Sequence, residues 1–200
     1  MAAAEPDGAI ITAFGGDPGL LQPLIGGQGK AWRAGAIVLK PAGDPTTIAW
    51  LGEVLAEVHD SALFRLSRPV ATRQGGEWVL AGWSATQYLP GFSAKGRWDT
   101  VLDASDALHA ALARLAASTP PSADTPWAHG DRAAWGEEPV PDPVQAVMPQ
   151  LVPVTAKPWT GAPPQLIHGD LGGNVVFADD RDAPPGIIDM SPYFRPANFA

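Results

Sequence analysis

Apolar positions in the first ninety residues come in short runs punctuated by glycine and proline, with one helical stretch between them. Leu20, Leu21, Leu24 and Ile25 predict a first strand, interrupted by Pro23 and therefore suited to an edge. Gly26-Gly27-Gln28-Gly29-Lys30 predicts a turn and Ala31-Trp32-Arg33 a short return strand. After the Ala34-Gly35 turn, Ala36 to Lys40 predicts a third strand, ended by Pro41. The period then changes. Ile48, Leu51, Leu55 and Val58 recur at helical spacing, widened by Val54, behind the start signal Asp44-Pro45-Thr46-Thr47, so a helix is predicted over 48–60. Strands return between Phe64 and Leu89, at Arg68–Ala71 and Trp78–Trp83 around Gln74-Gly75-Gly76, and the chain leaves through Gln87-Tyr88-Leu89-Pro90-Gly91.

The second half has a different texture. Trp98 to Ala117 is the strongest helical pattern, with Val101, Leu102, Ser105, Leu108, Leu112 and Leu115 on one face. His109 lies within it and reads as a packing or surface residue. Residues 118–164 are rich in proline, which limits them to short helices or extended pieces. Two short apolar runs follow. Leu166-Ile167-His168-Gly169-Asp170 leads into Leu171-Gly172-Gly173-Asn174 and Val175-Val176-Phe177, and Gly186-Ile187-Ile188 delivers Asp189. If the two runs pair as a hairpin, Asp170, Asn174 and Asp189 converge. Two carboxylates and an amide at one point can hold a magnesium ion and orient a hydroxyl.

Composition narrows the classes. The chain has 200 residues, 46% hydrophobic and 17% charged, which is a globular composition with room for one core or two small lobes. A formal net charge of −8 argues against a general nucleic-acid binder. The absence of cysteine excludes disulfides, thiolate catalysis and cysteine-based zinc sites. The N-terminal residues lack a signal-peptide pattern and no apolar run has the length of a membrane span, so a cytoplasmic protein with no membrane partner is expected.

Candidate phosphate chemistry lies in the N-terminal half. The backbone of the turn at Gly26, Gly27 and Gly29 can approach a phosphate closely. Lys40 is the only charge on an otherwise apolar strand. It either snorkels to solvent or reaches under the turn towards phosphates. Glu53 and Glu57 lie one turn apart on the following helix, and either is placed to pair with it. His129-Gly130-Asp131 duplicates the triplet at 168–170 but lacks the apolar lead-in and a downstream asparagine. Asp131 and Arg132 there suit a local ion pair or a helix cap.

Glycine-rich hairpin, strand lysine, helix with glutamate, exit strand, long helix, His-Gly-Asp…Asn and apolar-apolar-Asp follow in an order that resembles the aminoglycoside phosphotransferase family of kinase-like small-molecule phosphotransferases. The resemblance implies an α+β, protein-kinase-like two-lobe fold. It would comprise a small antiparallel-sheet N-lobe over 1–88 and a mainly helical C-lobe over 89–200. It further implies that Asp170 is the catalytic base or orienting carboxylate and that Asn174 and Asp189 are magnesium ligands. Lys40 would contact the nucleotide phosphates, steadied by Glu53 or Glu57. ATP and Mg2+ would be the cofactors, and a small hydroxylated molecule the acceptor.

Three departures qualify the likeness. Asp170 and Asn174 are four residues apart where the family spacing is five, which Gly172-Gly173 could absorb through conformations closed to other residues. Met190-Ser191-Pro192 follows Asp189 where protein kinases have Phe-Gly. Family members continue past the position of Ala200 with further helices, so a truncated C-lobe is expected. The alternative is a catalytically impaired relative that binds nucleotide or acts as a regulatory or interaction module.

Overall fold

The structure, a computed structural model, describes residues 5–25, 29–93, 95–115, 119–147, 163–179 and 183–199. The chain divides into two compact units, one made of Met1–Pro120 with Pro164–Ala200, the other of Pro121–Pro163.

The first unit opens with helix α1 (Gly8–Ala13), which the apolar pattern did not reveal because it is barely two turns long; Asp7 caps it by accepting the Ala9 N–H. Strands β1 (Leu21–Pro23), β2 (Trp32–Ala34) and β3 (Ile37–Pro41) form an antiparallel meander. Leu20 belongs to a 3-10 turn ahead of β1, and Ile25 is fully exposed, so the first strand is shorter than predicted. Helix α2 (Pro45–Ala56) starts at its cap, Asp44, whose carboxylate accepts from Thr47 N and Oγ1, each at 2.7 Å. Those bonds hold the Asp44 pKa below its usual value. Glycine in mid-helix costs about 1 kcal/mol against alanine. Gly52 is there because the Trp78 ring covers it: a Cβ would stand 2.5 Å from that ring.

Strands β4 (Arg65–Leu66), β5 (Pro69–Val70) and β6 (Trp83–Gln87) come next. The expected strand over 78–83 is instead broken by a two-residue turn. Leu80 and Trp83 exchange both backbone hydrogen bonds across Ala81 and Gly82, which have φ of 48° and 79°. Positive φ at both central residues is the hairpin turn that matches strand twist, so pairing continues in β6. The five-stranded sheet runs β1-β2-β3-β6-β5. Side chains alternate across it. Ile37, Leu39, Trp83 and Ala85 pack with Ile11 and Phe14 of the α1 segment, forming one core cluster on that face.

Helix α3 (Trp98–Leu112) buries Ala104, Leu108 and Leu112 in a second cluster with Leu51 and Leu55 of α2. Strands β7 (Gln165–His168), β8 (Val175–Val176), β9 (Gly186–Ile187) and β10 (Pro192–Arg195) complete the unit. β8 and β9 pair antiparallel, as the spacing of the two apolar runs predicts, and β4 joins the other edge of β9 in parallel. β7 pairs with β10.

The second unit contains helices α4 (Pro126–Ala134) and α5 (Asp142–Val147). The duplicate His-Gly-Asp triplet lies inside α4. The cap is Thr125, whose hydroxyl accepts the Ala128 N–H, and Arg132 makes a local ion pair with Glu138. His129 sits between Glu138 and Asp124, and hydrogen bonds to the two raise its pKa. No described helix is long and apolar enough to cross a membrane.

Candidate active site

Lys40 ends the inner part of β3, on the face opposite Ile37 and Leu39. On that face lies a cavity of about 250 Å³ bordered by Ile48, Leu51 and Leu55 of α2, Ser84 and Thr86 of β6, and Asp189. The Lys40 ammonium is ion-paired to the Asp189 carboxylate, 149 residues away in the chain. Neither expected glutamate reaches it. The face that α2 turns to the sheet is apolar, while Glu53 points to solvent and Glu57 lies past the helix end as its exposed C-cap residue. The steadying partner that sequence placed on the helix is supplied by the segment after β9.

Asp189 has a φ of 53°, a left-handed conformation that costs an L-residue roughly 1 kcal/mol and that aspartate tolerates better than most. Its carbonyl accepts from Ser191 Oγ at 3.3 Å. Asn174 lies beside it, since the Ile188 N–H donates to the Asn174 carbonyl at 2.9 Å. On the other side, Asn174 Nδ2 donates to the Asp170 carbonyl at 2.6 Å and to its Oδ2 at 3.2 Å. That side-chain closure, with Asn174 N–H to Leu171 O at 3.0 Å, accommodates the four-residue spacing. Gly172 and Gly173 do not adopt positive φ, so the expected glycine device is not used. Asp170 is exposed and Asn174 half-buried.

A buried histidine braces this loop. The His168 ring is wholly inaccessible; its Nδ1 accepts the Asp170 N–H at 3.2 Å, and its Nε2–H donates to the Ile188 carbonyl at 3.0 Å. One ring thereby ties the residue before Asp189 to Asp170. Burial pushes its pKa down, so it serves as a neutral hydrogen-bonding bracket rather than a proton carrier. Gly169 is required next to it, because a Cβ there would meet the Tyr193 ring at 2.3 Å. After the exit strand, Phe92 and Phe177 exchange backbone hydrogen bonds at 2.9 Å, and the Arg97 guanidinium lies 4.0 Å from the Phe177 ring centre. Gly91 permits that approach, since a Cβ would stand 2.8 Å from the Phe177 carbonyl oxygen.

Of the sequence-chosen residues, Lys40 meets Asp189, and Asn174 links to Asp170 while sharing a backbone pair with Ile188. Gly29 is exposed with a φ of 65°, and Gly26 and Gly27 lie outside the described residues. Among the described residues, no three His, Cys, Asp or Glu side chains cluster as a metal site. The oxygens on offer are one Asp189 carboxylate and the Asn174 amide, a set that suits magnesium completing its shell with phosphates and water. His109, read from sequence as packing or surface, proves to be a buried partner of His168. Its spacing from Ser105, one helical turn, was the only available signal.

No protein-family model and no curated protein sequence matches the chain. Solved structures do. A choline/ethanolamine kinase family protein from Mesorhizobium loti matches with a TM-score of 0.51 at 20% identity, over 88% of this chain and 59% of that one. The spectinomycin phosphotransferase solved with ADP and spectinomycin matches with a TM-score of 0.48 at 15% identity, over 90% of this chain and 66% of that one. The chain therefore has the α+β, kinase-like fold, and spans about three fifths of the length of the first neighbour.

Proposed function

We propose that the chain carries the nucleotide and metal apparatus of a phosphotransferase that transfers a phosphoryl group from ATP to a hydroxyl of a small molecule. The observation that carries this reading is the meeting of Lys40 with Asp189, beside a loop in which Asn174 and His168 hold Asp170, on a kinase-like fold. Phosphoryl transfer asks a protein chiefly for positioning and for cancellation of negative charge. Lys40 would bind nucleotide phosphates under the turn at Gly26, Gly27 and Gly29. Asp189 and Asn174 would hold Mg2+, which when bound neutralises charge on the phosphates. Asp170 would orient the acceptor hydroxyl and accept its proton. Residues 1–88 would form the nucleotide lobe, with Tyr88 and Leu89 at its exit.

Isothermal titration with Mg-ATP tests this directly. Asp170→Asn should leave nucleotide binding within about threefold of the native value while abolishing transfer. Asp189→Asn should weaken magnesium-dependent binding by tenfold or more. Equal loss of binding in both, or no Mg-ATP binding by the native chain, would refute the assignment.

The second reading is a nucleotide binder without turnover. It is favoured by the tight Asp170–Asn174 closure, in which Asn174 Nδ2 donates to the Asp170 carboxylate and so engages the oxygen proposed for the acceptor hydroxyl. Mg-ATP binding with no phosphate release and no transfer to any panel hydroxyl would select it.

A further inference from the structure

We infer that His109 is a positioning residue for both candidate carboxylates, acting through His168. The inference rests on the roles proposed above for Asp170 and Asp189. Among the described residues, β7 has a neighbour strand on one edge, where His168 lies opposite Pro192. On its other edge, which packs against α3, the backbone N–H of His168 donates to a side chain rather than to a strand. The His109 ring supplies the acceptor: Nε2 receives that N–H at 3.2 Å, and both residues are buried, at 3% and 0% exposure. The opposite ring nitrogen, Nδ1, lies 3.3 Å from Ser105 Oγ, one turn earlier on α3. Gln165, at the start of β7, donates its amide to the His109 carbonyl at 2.8 Å, so side chain and backbone of one helix residue hold both ends of the strand.

The order of donors fixes the tautomers. His109 must carry its proton on Nδ1 and present a lone pair at Nε2. His168 must carry its proton on Nε2, for the Ile188 carbonyl, and present a lone pair at Nδ1 to the Asp170 N–H. Ser105 therefore leads to His109, His109 to His168, and His168 to Asp170 on one side and the residue before Asp189 on the other. Protonation of either ring would set an N–H against an N–H. The titratable groups facing His109 are Asp106, on its own helix, and His168 across from it; burial, with His168 adding to it, holds its pKa down at about 4. A buried backbone donor left without a partner is costly, and here its loss would be felt at the end of the strand that presents Asp170.

The test uses the whole chain and two variants. His109→Leu removes the acceptor; His109→Gln returns an amide oxygen near the place of Nε2. In His109→Leu, amide hydrogen exchange of His168 and Asp170 should accelerate at least tenfold more than that of Leu39 in β3, and affinity for Mn2+ with nucleotide should fall severalfold. His109→Gln should recover most of both. Unchanged Asp170 protection and Mn2+ affinity in a folded His109→Leu would overturn the inference, as would loss in both variants confined to global unfolding. The native chain gives a reading that needs no variant. Nitrogen-15 shifts at pH 7 should show His109 protonated at Nδ1 and His168 at Nε2, and the opposite tautomer at either overturns the relay. Asp189→Asn separates the two levels: if it leaves Mn2+–nucleotide affinity unchanged, the metal assignment fails, while the exchange and tautomer results decide the His109 relay.

Discussion

Replacing Lys40 by methionine keeps the length and apolar stem of the side chain and removes its charge, and the proposed site requires this to move two affinities in opposite directions. Asp189 is shared: the carboxylate proposed for the metal is also paired with Lys40. Both side chains are partly open to solvent, at 35% and 42% exposure, so the pair belongs to the weak, screened class worth about 0.2 to 1 kcal/mol. Freeing Asp189 returns that amount to metal binding. Removing a nearby positive charge from the surroundings of a divalent ion adds about 0.5 kcal/mol after physiological salt screening. The sum, about 1 kcal/mol, corresponds to roughly fivefold tighter binding of free metal. Nucleotide affinity goes the other way, because a charge-assisted contact from Lys40 to phosphate contributes about 1.5 to 3 kcal/mol, or roughly ten- to hundredfold.

The assay is electron paramagnetic resonance of free Mn2+, titrated with native chain, Lys40→Met and Asp189→Asn, each with and without ATP. Without ATP, Lys40→Met should bind Mn2+ tighter than the native chain by roughly fivefold, with the gap narrowing as KCl is raised. With ATP the order should reverse. Asp189→Asn should bind least in both conditions. Weaker or unchanged Mn2+ binding by Lys40→Met without nucleotide would refute the sharing of Asp189.

Two further outcomes are expected on stability. His109 is held neutral with a pKa of about 4, against 6.5 for an ordinary histidine, so the unfolded chain binds more protons between those values. Stability from this group is therefore complete above pH 6.5 and is lost as pH falls towards 4, by about 2 kcal/mol at pH 5 on linkage grounds, and buried His168 adds to the loss in the same direction. Urea midpoints at pH 7 and pH 5 measure this, and a midpoint that rises or holds steady on acidification would contradict it. Ala81→Asn should stabilise the chain by about 0.5 to 1 kcal/mol and raise Tm by roughly 1 to 4 °C, because asparagine tolerates the positive φ of that turn; a lower Tm in a calorimetric scan would show that the turn is not of this kind.

The parts of the site that are legible in sequence are those set by short-range pattern. Two apolar runs separated by turn residues announce the β8–β9 pair, and with it the neighbourhood of Asn174 and Asp189. An isolated charge at the end of an apolar strand marks Lys40. Boundaries were lost where a single residue overrides its surroundings: Ala81 looks like strand interior by composition, yet with Gly82 it takes positive φ and turns the chain. Pairings between distant segments were lost for a different reason. Helical phase places Glu53 towards solvent, but nothing local says that the counter-ion of Lys40 lies 149 residues on.

The apolar face of α2 decides more than packing. With Ile48, Leu51 and Leu55 turned to the cavity beside Lys40, the helix offers that lysine no carboxylate, and Asp189 has to serve both as its ion partner and as the proposed metal ligand. A side chain with two claimants needs a backbone that keeps it in place when either claimant leaves. Asp189 has such a support: it stands in a left-handed conformation, its carbonyl is bonded by Ser191, and the preceding residue is bound on two sides, its N–H by Asn174 and its carbonyl by His168. His168 depends in turn on His109, whose ring receives its backbone N–H. The buried histidine pair and the exposed ion pair are thus two ends of one arrangement, in which neutral groups inside hold the position of a charge that is shared outside.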